Sequence, residues 1–118
     1  MKRYSAKLLF QYCDKENGKP ITKRRLCEER IVTFKAKSAK DALSIAKQKG
    51  RSAKYNFQNV SNTKTYVEFI GVKELLCLET KCLDDEVWYE YRDMIEPMER
   101  KASLIPPPKA LEAIKMNE

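Results

Sequence analysis

Histidine is absent from this chain of 118 residues, and only three glycines are present. Without histidine the chain lacks the commonest general base and a common metal ligand. The few glycines form no phosphate-binding loop, and no apolar run reaches the ~18 residues that span a bilayer. These absences leave little basis for catalysis, and we expect neither a metal nor another cofactor and no contact with a membrane.

Four cysteines are present, but their spacing is unlike that of a zinc site: Cys13, Cys27, Cys77 and Cys82. The chain begins Met-Lys-Arg-Tyr and shows no apolar signal segment. We therefore expect a cytoplasmic protein whose reduced cysteines act as small core residues.

Charge is distributed unevenly along the chain. The formal net charge is +7, from 24 basic and 17 acidic side chains. Residues 1–60 hold 16 basic and 5 acidic side chains, whereas residues 61–118 hold 8 and 12. A basic surface attracts phosphates or acidic proteins, although such residues also serve simply to keep a small protein soluble.

The first third of the sequence predicts a β-hairpin. Residues 4–12 alternate between apolar and polar, which indicates a half-buried strand. Asn17-Gly18 is a strong cue for a tight hairpin turn. The return strand is predicted from about Arg25 to Ala36, antiparallel to the first.

A helix is predicted next. Ser38 and Asp41 resemble a capping box, with aspartate in place of the usual glutamate. An alanine-rich apolar stripe follows at helical spacing and would allow a close approach to a sheet. Gly50 is expected to end the helix at the position just after its last turn.

The pattern then returns to β-structure. Strands are predicted around Tyr55 and Phe57, from Thr65 to Leu78 with a bulge or bend at Gly71, and from Val87 to Asp93. The order is β-β-α-β-β-β. It predicts an α+β fold in which one helix packs on a face of an antiparallel sheet of about five strands.

The tail differs from the rest of the chain in composition. Pro106 to Pro108 predict an extended, stiff segment, and Lys109 to Met116 could form a short terminal helix. We therefore divide the chain into an α+β domain over residues 1–95 and a proline-rich tail over residues 96–118.

An aromatic and charged group in the last predicted strand suits partner recognition. Trp88, Glu90 and Arg92 would share one face of that strand, and tryptophan and arginine are common interface anchors. Alternatively, Trp88 covers the edge of the helix, and Glu90 and Arg92 form a surface ion pair.

Charges that point inward are predicted in the second strand. If the following apolar residues face the core, Glu28 and Arg30 face the same way, which is costly unless they are paired. The two side chains line a partner-binding cleft beside Trp88, or they pair with each other near the end of the sheet, or a bulge reverses the alternation so that both point to water.

Basic residues of the first half suggest a different ligand. With Tyr55 and Phe57 nearby, they could bind single-stranded RNA or DNA by charge and stacking. No known nucleic-acid-binding motif accompanies them. The candidates are Lys23, Arg24, Arg25, Lys40, Lys47 and Arg51.

Short motifs in a fixed order resemble a family of small bacterial proteins of unknown function. They are YSAKL from Tyr4, CEERIV from Cys27, FIGV from Phe69, VWYE from Val87 and PMER from Pro97. The resemblance covers most of residues 4–107. It implies a single-domain protein and no established activity, cofactor or catalytic residue.

Taken together, the residues favour a non-catalytic binding protein. The most concrete hypothesis is a protein that sequesters a protein partner, as an immunity protein or antitoxin blocks a toxin. The alternative is an RNA- or DNA-binding module that uses the basic first half. A weaker alternative is a histidine-free ribonuclease that uses Glu28 and Arg30.

Overall fold

A long first strand organises the sheet. In the computed structural model, which describes residues 1–79 and 81–116, strand β1 spans Lys2–Glu16. The predicted tight turn is confirmed, because Asn17 and Gly18 both have positive φ angles, 52° and 77°. Two positive φ angles are characteristic of the type I′ turn of a two-residue hairpin. Strand β2 (Lys19–Pro20) returns from it.

The sheet is open, antiparallel and five-stranded, which confirms the predicted α+β fold. Strands β3 (Leu26–Ala36) and β5 (Lys64–Cys77) pair with β1 on its two sides. Strand β4 (Tyr55–Gln58) pairs with the first residues of β5, at the margin of the sheet. Among the described residues β3 pairs only with β1, so its outer edge is open over eleven residues.

The bulge predicted at Gly71 is confirmed. The register between β1 and β5 shifts on both sides of the pair formed by Leu9 and Gly71. Ile70 and Lys73 consequently have no opposite residue in β1. Such extra residues bend a strand and increase its local twist.

The helix α1 (Ala39–Ser52) begins as predicted. The Ser38 hydroxyl accepts a hydrogen bond from the Asp41 N–H at 3.1 Å. The Asp41 carboxylate accepts one from the Lys37 N–H, also at 3.1 Å, instead of from the N–H of Ser38 itself. Two backbone N–H groups at the start of the helix, one before it and one in its first turn, are thereby satisfied.

The prediction that Gly50 lies just beyond the helix is wrong. Gly50 is buried inside the last turn of α1, and Ala53 is the C-terminal cap. A Cβ atom at Gly50 would overlap the Phe69 ring. Glycine is therefore required here for close approach between helix and sheet and not for a left-handed cap.

Alternation along β1 gives the sheet two unlike faces. We call the side that packs against α1 the helix face and the opposite side, which carries Lys7, the far face. The core lies on the helix face and is built from tightly buried residues of β1, β5 and α1: Tyr4, Ala6, Leu8, Phe10, Ala42, Ala46 and Val67. Cys13 is buried as expected, whereas Cys27 is exposed and is not a core residue.

The predicted last strand over Val87 to Asp93 is wrong. Residues 86–94 form no strand and instead cross the far face of the sheet. The sheet still has five strands, because the short strand β2 before the helix was not predicted and makes up the number. An extended segment that lies across a sheet contributes side-chain contacts without ladder hydrogen bonds.

The tail is solvent-exposed. Every described residue from Glu90 to Met116 is exposed, including large apolar side chains such as Tyr91 and Met98. Two four-residue helices occur here, α2 (Lys101–Leu104) and α3 (Glu112–Lys115), with a 3-10 turn at Pro108–Ala110. In the described part of the chain, no helix has the length and apolar character needed to cross a membrane.

Candidate functional site

A cleft opens on the far face where the chain crosses it. We call it the Trp88 cleft; its volume is about 580 Å³. Its sheet side is formed by Lys7, Lys73, Glu74 and Leu76, and its other side by residues 88–92. The cleft therefore contains the predicted residues Trp88, Glu90 and Arg92.

Lys7 of the central strand connects the two sides of the cleft. Its ammonium lies 5.0 Å from the centroid of the Trp88 ring and 3.6 Å from a Glu90 carboxylate oxygen. The same ammonium lies 3.9 Å from Glu29. A cation over an indole face is a favourable contact, which is strengthened when water is excluded.

Two of the carboxylates at the cleft are paired with cations. Arg92 donates a hydrogen bond to Glu90 at 3.0 Å, and the Trp88 indole N–H donates another at 3.3 Å. These two bonds lower the pKa of Glu90 below its usual value. Lys73 donates to Glu29 at 2.6 Å and lowers the pKa of that carboxyl in the same way. Both carboxylates are therefore held ionised.

The outer rim of the cleft is open to solvent. The Arg92 side chain is 70% exposed, and Tyr91 is 77% exposed. The Tyr89 and Tyr91 rings meet edge to face, with centroids 5.7 Å apart. The cleft thus has a half-buried aromatic floor and an accessible aromatic and cationic rim.

Arg3 fixes the chain where it turns onto the far face, and the sequence reasoning missed it. Its guanidinium donates to the carbonyl oxygens of Leu83, Asp84 and Glu86 at 2.6–3.1 Å. An arginine near the start of an alternating strand gives no signal of this role, because the three carbonyls lie about eighty residues away in the chain.

Glu28 and Arg30 lie on the helix face, opposite to the Trp88 cleft. They pair with Phe10 and Leu8 of β1, and the Arg30 guanidinium donates to Glu28 at 3.0 Å. The Tyr12 hydroxyl donates to the same Glu28 oxygen at 2.9 Å. The expectation that these two charges bond to each other is confirmed, but they do so opposite the middle of β1 and not at the end of the sheet, and they do not lie beside Trp88.

The charged and polar groups around Glu28 are bonded to one another, which shifts their pKa values. Hydrogen bonds from Arg30 and then from Tyr12 lower the pKa of Glu28. The same bond to Glu28, together with the Tyr55 hydroxyl, raises the pKa of Tyr12. The Arg30 guanidinium carbon lies 4.2 Å from the centroid of the Phe10 ring, so the charge also stacks on an aromatic face.

The predicted basic residues do not form one patch. Lys47 and Arg51 line a groove together with Lys54, on the β5 side of the helix. Lys40 lies exposed in the first turn of α1, at its other end. Lys23, Arg24 and Arg25 precede β3, where the Arg25 guanidinium donates to Gln11 at 3.2 Å.

Comparison with protein families identifies the chain as a member of one of them. It belongs to the family described as a domain of unknown function, DUF4288, whose model matches residues 3–88. The match spans the sheet, the helix and the start of the segment that forms the Trp88 cleft. It confirms the resemblance to a family of unknown function. No curated protein and no solved structure matches the chain.

Proposed function

We propose that this protein is a non-catalytic binding protein that sequesters a protein partner at the Trp88 cleft. The observation that carries the proposal is the half-buried Trp88 ring, held by Lys7 beneath an exposed rim of Tyr91 and Arg92. Interface hot spots combine aromatic and arginine anchors with surroundings that exclude water. An immunity- or antitoxin-like protein in the cytoplasm fits this description.

The charge of the cleft indicates the chemistry of the partner. Arg92 pairs with Glu90, but its side chain is 70% exposed against 46% for that of Glu90, so the cation is the more accessible member of the pair. The net charge of +7 adds a long-range attraction for acidic molecules. An acidic protein segment with an apolar side chain that reaches Trp88 is the best-matched partner.

The pairing of the carboxylates supports a binding role over a catalytic one. A general base works best when its pKa lies near the operating pH. Hydrogen bonds from cations lower the pKa values of Glu29 and Glu90, which makes both side chains weaker bases. Their paired arrangement favours rigidity of the cleft instead of proton transfer.

Site-directed crosslinking tests the proposal. A photo-crosslinking amino acid replaces Tyr91 in the full chain, expressed in the cells that naturally make it. A second version carries it at Val60, which is fully exposed in the loop between β4 and β5. We expect one protein to be captured specifically from position 91.

The captured protein is then purified and its affinity measured directly. The double variant with Tyr91→Ala and Arg92→Ala should bind it at least about tenfold more weakly, since each anchor contributes more than ~1 kcal/mol. Crosslinks that are identical from both positions, or an unchanged affinity of the double variant, would refute the proposal.

The weaker alternative, a ribonuclease, is favoured by the cluster of Tyr12, Glu28 and Arg30. The lowered pKa of Glu28 makes this carboxylate a poor proton acceptor. We therefore expect total RNA to stay intact during incubation with the purified protein. Cleavage that Glu28→Gln abolishes would establish the enzymatic alternative instead.

A further inference from the structure

The helix covers only part of the helix face. Among the described residues, α1 lies against β1, β3 and β5 and does not reach β4. Tyr55 and Phe57 of β4 are 49% and 41% exposed, and Leu26 at the start of β3 is 70% exposed. One end of the sheet is thus left as an open, aromatic surface.

We propose that this surface, which we call the aromatic platform, binds single-stranded nucleic acid by stacking bases on Tyr55 and Phe57. The proposal concerns the face opposite to the Trp88 cleft and does not depend on the protein partner. Single strands are recognised in other proteins by sheets that present aromatic rings to two or three bases.

The geometry of the rings supports stacking. Tyr55 and Phe57 are two residues apart in β4 and therefore point to the same face. Their centroids are 6.1 Å apart and their planes are tilted by 31°, so the two rings lie side by side. Tyr12 lies in the same row, because Tyr12 and Tyr55 both pair with Val67 of β5.

The floor of the aromatic platform carries two carboxylates, and both are hydrogen-bonded. Asp14 lies in the row of Phe57, since both pair with Thr65, and accepts a hydrogen bond from the Thr65 hydroxyl. Glu28 accepts hydrogen bonds from both Tyr12 and Arg30, so its charge is balanced locally. Arg30 in turn stacks on Phe10. Rigid, paired groups of this kind present little repulsion to a base that lies above them.

Basic side chains lie beside the aromatic platform and along the adjacent helix. Lys54 directly precedes Tyr55 and lines a groove with Lys47 and Arg51. Glu68 lines the same groove, but its carboxylate is paired with Lys15 at 2.8 Å. Phosphates of a strand whose bases stack on β4 could be contacted along this groove. Charge beside aromatic rings is the arrangement by which single strands are bound without sequence preference.

Fluorescence anisotropy with labelled oligonucleotides of about ten bases tests the aromatic platform. The probes are single-stranded RNA, single-stranded DNA and an RNA duplex of equal length. We expect at least one single strand to bind more tightly than the duplex. Tyr55→Ala combined with Phe57→Ala should weaken that binding by about tenfold or more, because each stacked base contributes appreciably.

Matched variants separate stacking from charge and from loss of folding. Tyr55→Phe combined with Phe57→Tyr keeps both rings and should retain binding. Lys47→Gln combined with Arg51→Gln should reduce the slope of log affinity against log salt concentration by roughly 1.4, the amount expected for the loss of two phosphate contacts on a single strand. Met98→Ala combined with Ile105→Ala removes two exposed apolar side chains of the tail and should leave binding unchanged.

Three outcomes would overturn the inference. One is absence of binding at about 100 µM protein, where even non-specific nucleic-acid binders form complexes. Another is binding that survives the alanine variants of Tyr55 and Phe57 and shows no preference for single strands. The last is displacement of the oligonucleotide by polyglutamate at equal charge concentration, which would indicate an acidic protein segment as the ligand.

Discussion

The Lys7 ammonium lies 5.0 Å from the centre of the Trp88 ring. This contact joins the central strand to the segment that crosses the far face. Trp88 is the only tryptophan of the chain and therefore reports on this contact directly. Together with the hydrogen bonds of Arg3, the contact holds this segment against the sheet.

Lys7→Met removes the cation and keeps the length of the side chain. We expect Trp88 emission to move to longer wavelength and acrylamide quenching to increase, because the indole gains access to water. The free energy of unfolding should fall by about 1 kcal/mol, as is typical of a partly desolvated cation–π contact. Lys35→Met, at an exposed position of β3, is the control and should change neither signal. Identical behaviour of the two variants would show that the ammonium does not hold the ring.

Glu28 makes the stability of the protein dependent on pH. Its folded-state pKa lies below the ordinary value of 4.5, because Arg30 and Tyr12 donate hydrogen bonds to the carboxylate. A carboxyl with a depressed pKa stabilises the fold above its unfolded-state pKa and loses that contribution as the pH falls through the folded-state pKa. The difference in free energy of unfolding between wild type and Glu28→Gln should thus be largest at neutral pH and shrink below about pH 4.5.

Tyr12→Phe provides the internal check on this pH dependence. Losing the hydroxyl removes one donor, so the pKa of Glu28 should rise toward its ordinary value, as read from carbon-13 NMR of the carboxyl. A titration midpoint of Glu28 that is the same in both proteins would contradict the assignment of Tyr12 as a donor.

Gly50→Ala should destabilise the protein although alanine is the better helix former. The added methyl gains ~1 kcal/mol of helix propensity. Overlap with the Phe69 ring costs roughly 1–3 kcal/mol in a tightly packed interface. We expect a lower urea midpoint for Gly50→Ala and an unchanged or higher one for Ser44→Ala, on the exposed side of α1. A stabilised Gly50→Ala protein would mean that Phe69 can move aside at little cost.

Removal of the tail tests the division of the chain after Ile95. No described residue from Glu90 to Met116 is buried. A protein that ends at Ile95 should therefore unfold with a free energy within about 0.5 kcal/mol of the full chain, as is usual for exposed positions. Calorimetry of both proteins makes the comparison. A markedly lower unfolding temperature of the shortened protein would place part of the tail within the folded unit.

Features encoded by neighbouring residues could be read from the sequence. The turn at Asn17-Gly18, the cap at Ser38 and the alternation of β1 depend on local backbone preferences, and the structure confirms them. The bulge at Gly71 belongs to the same group. Each has a physical cause that acts within a few residues.

Features that depend on distant residues could not be read in this way. The alternation of residues 87–93 looks like a strand, but in the structure it reflects contact with Lys7 on one side and solvent on the other. Gly50 looks like a helix end because the ring of Phe69 is not visible in the local sequence. Glu28 and Arg30 were candidates for a position beside Trp88 or for an ion pair with each other, and only the pairing of β3 with β1 decides which face they occupy.

The pairing of Glu28 with Arg30 has a consequence for the open outer edge of β3. Eleven consecutive residues without a bulge or proline offer ladder hydrogen bonds to any extended chain. The Glu28 and Arg30 side chains project from the helix face beside this edge. A second sheet that stacked on that face, as in a fibril, would have to remove water from the ion pair, which is unfavourable. The ion pair therefore opposes stacking on this face of β3 while the backbone edge itself stays open.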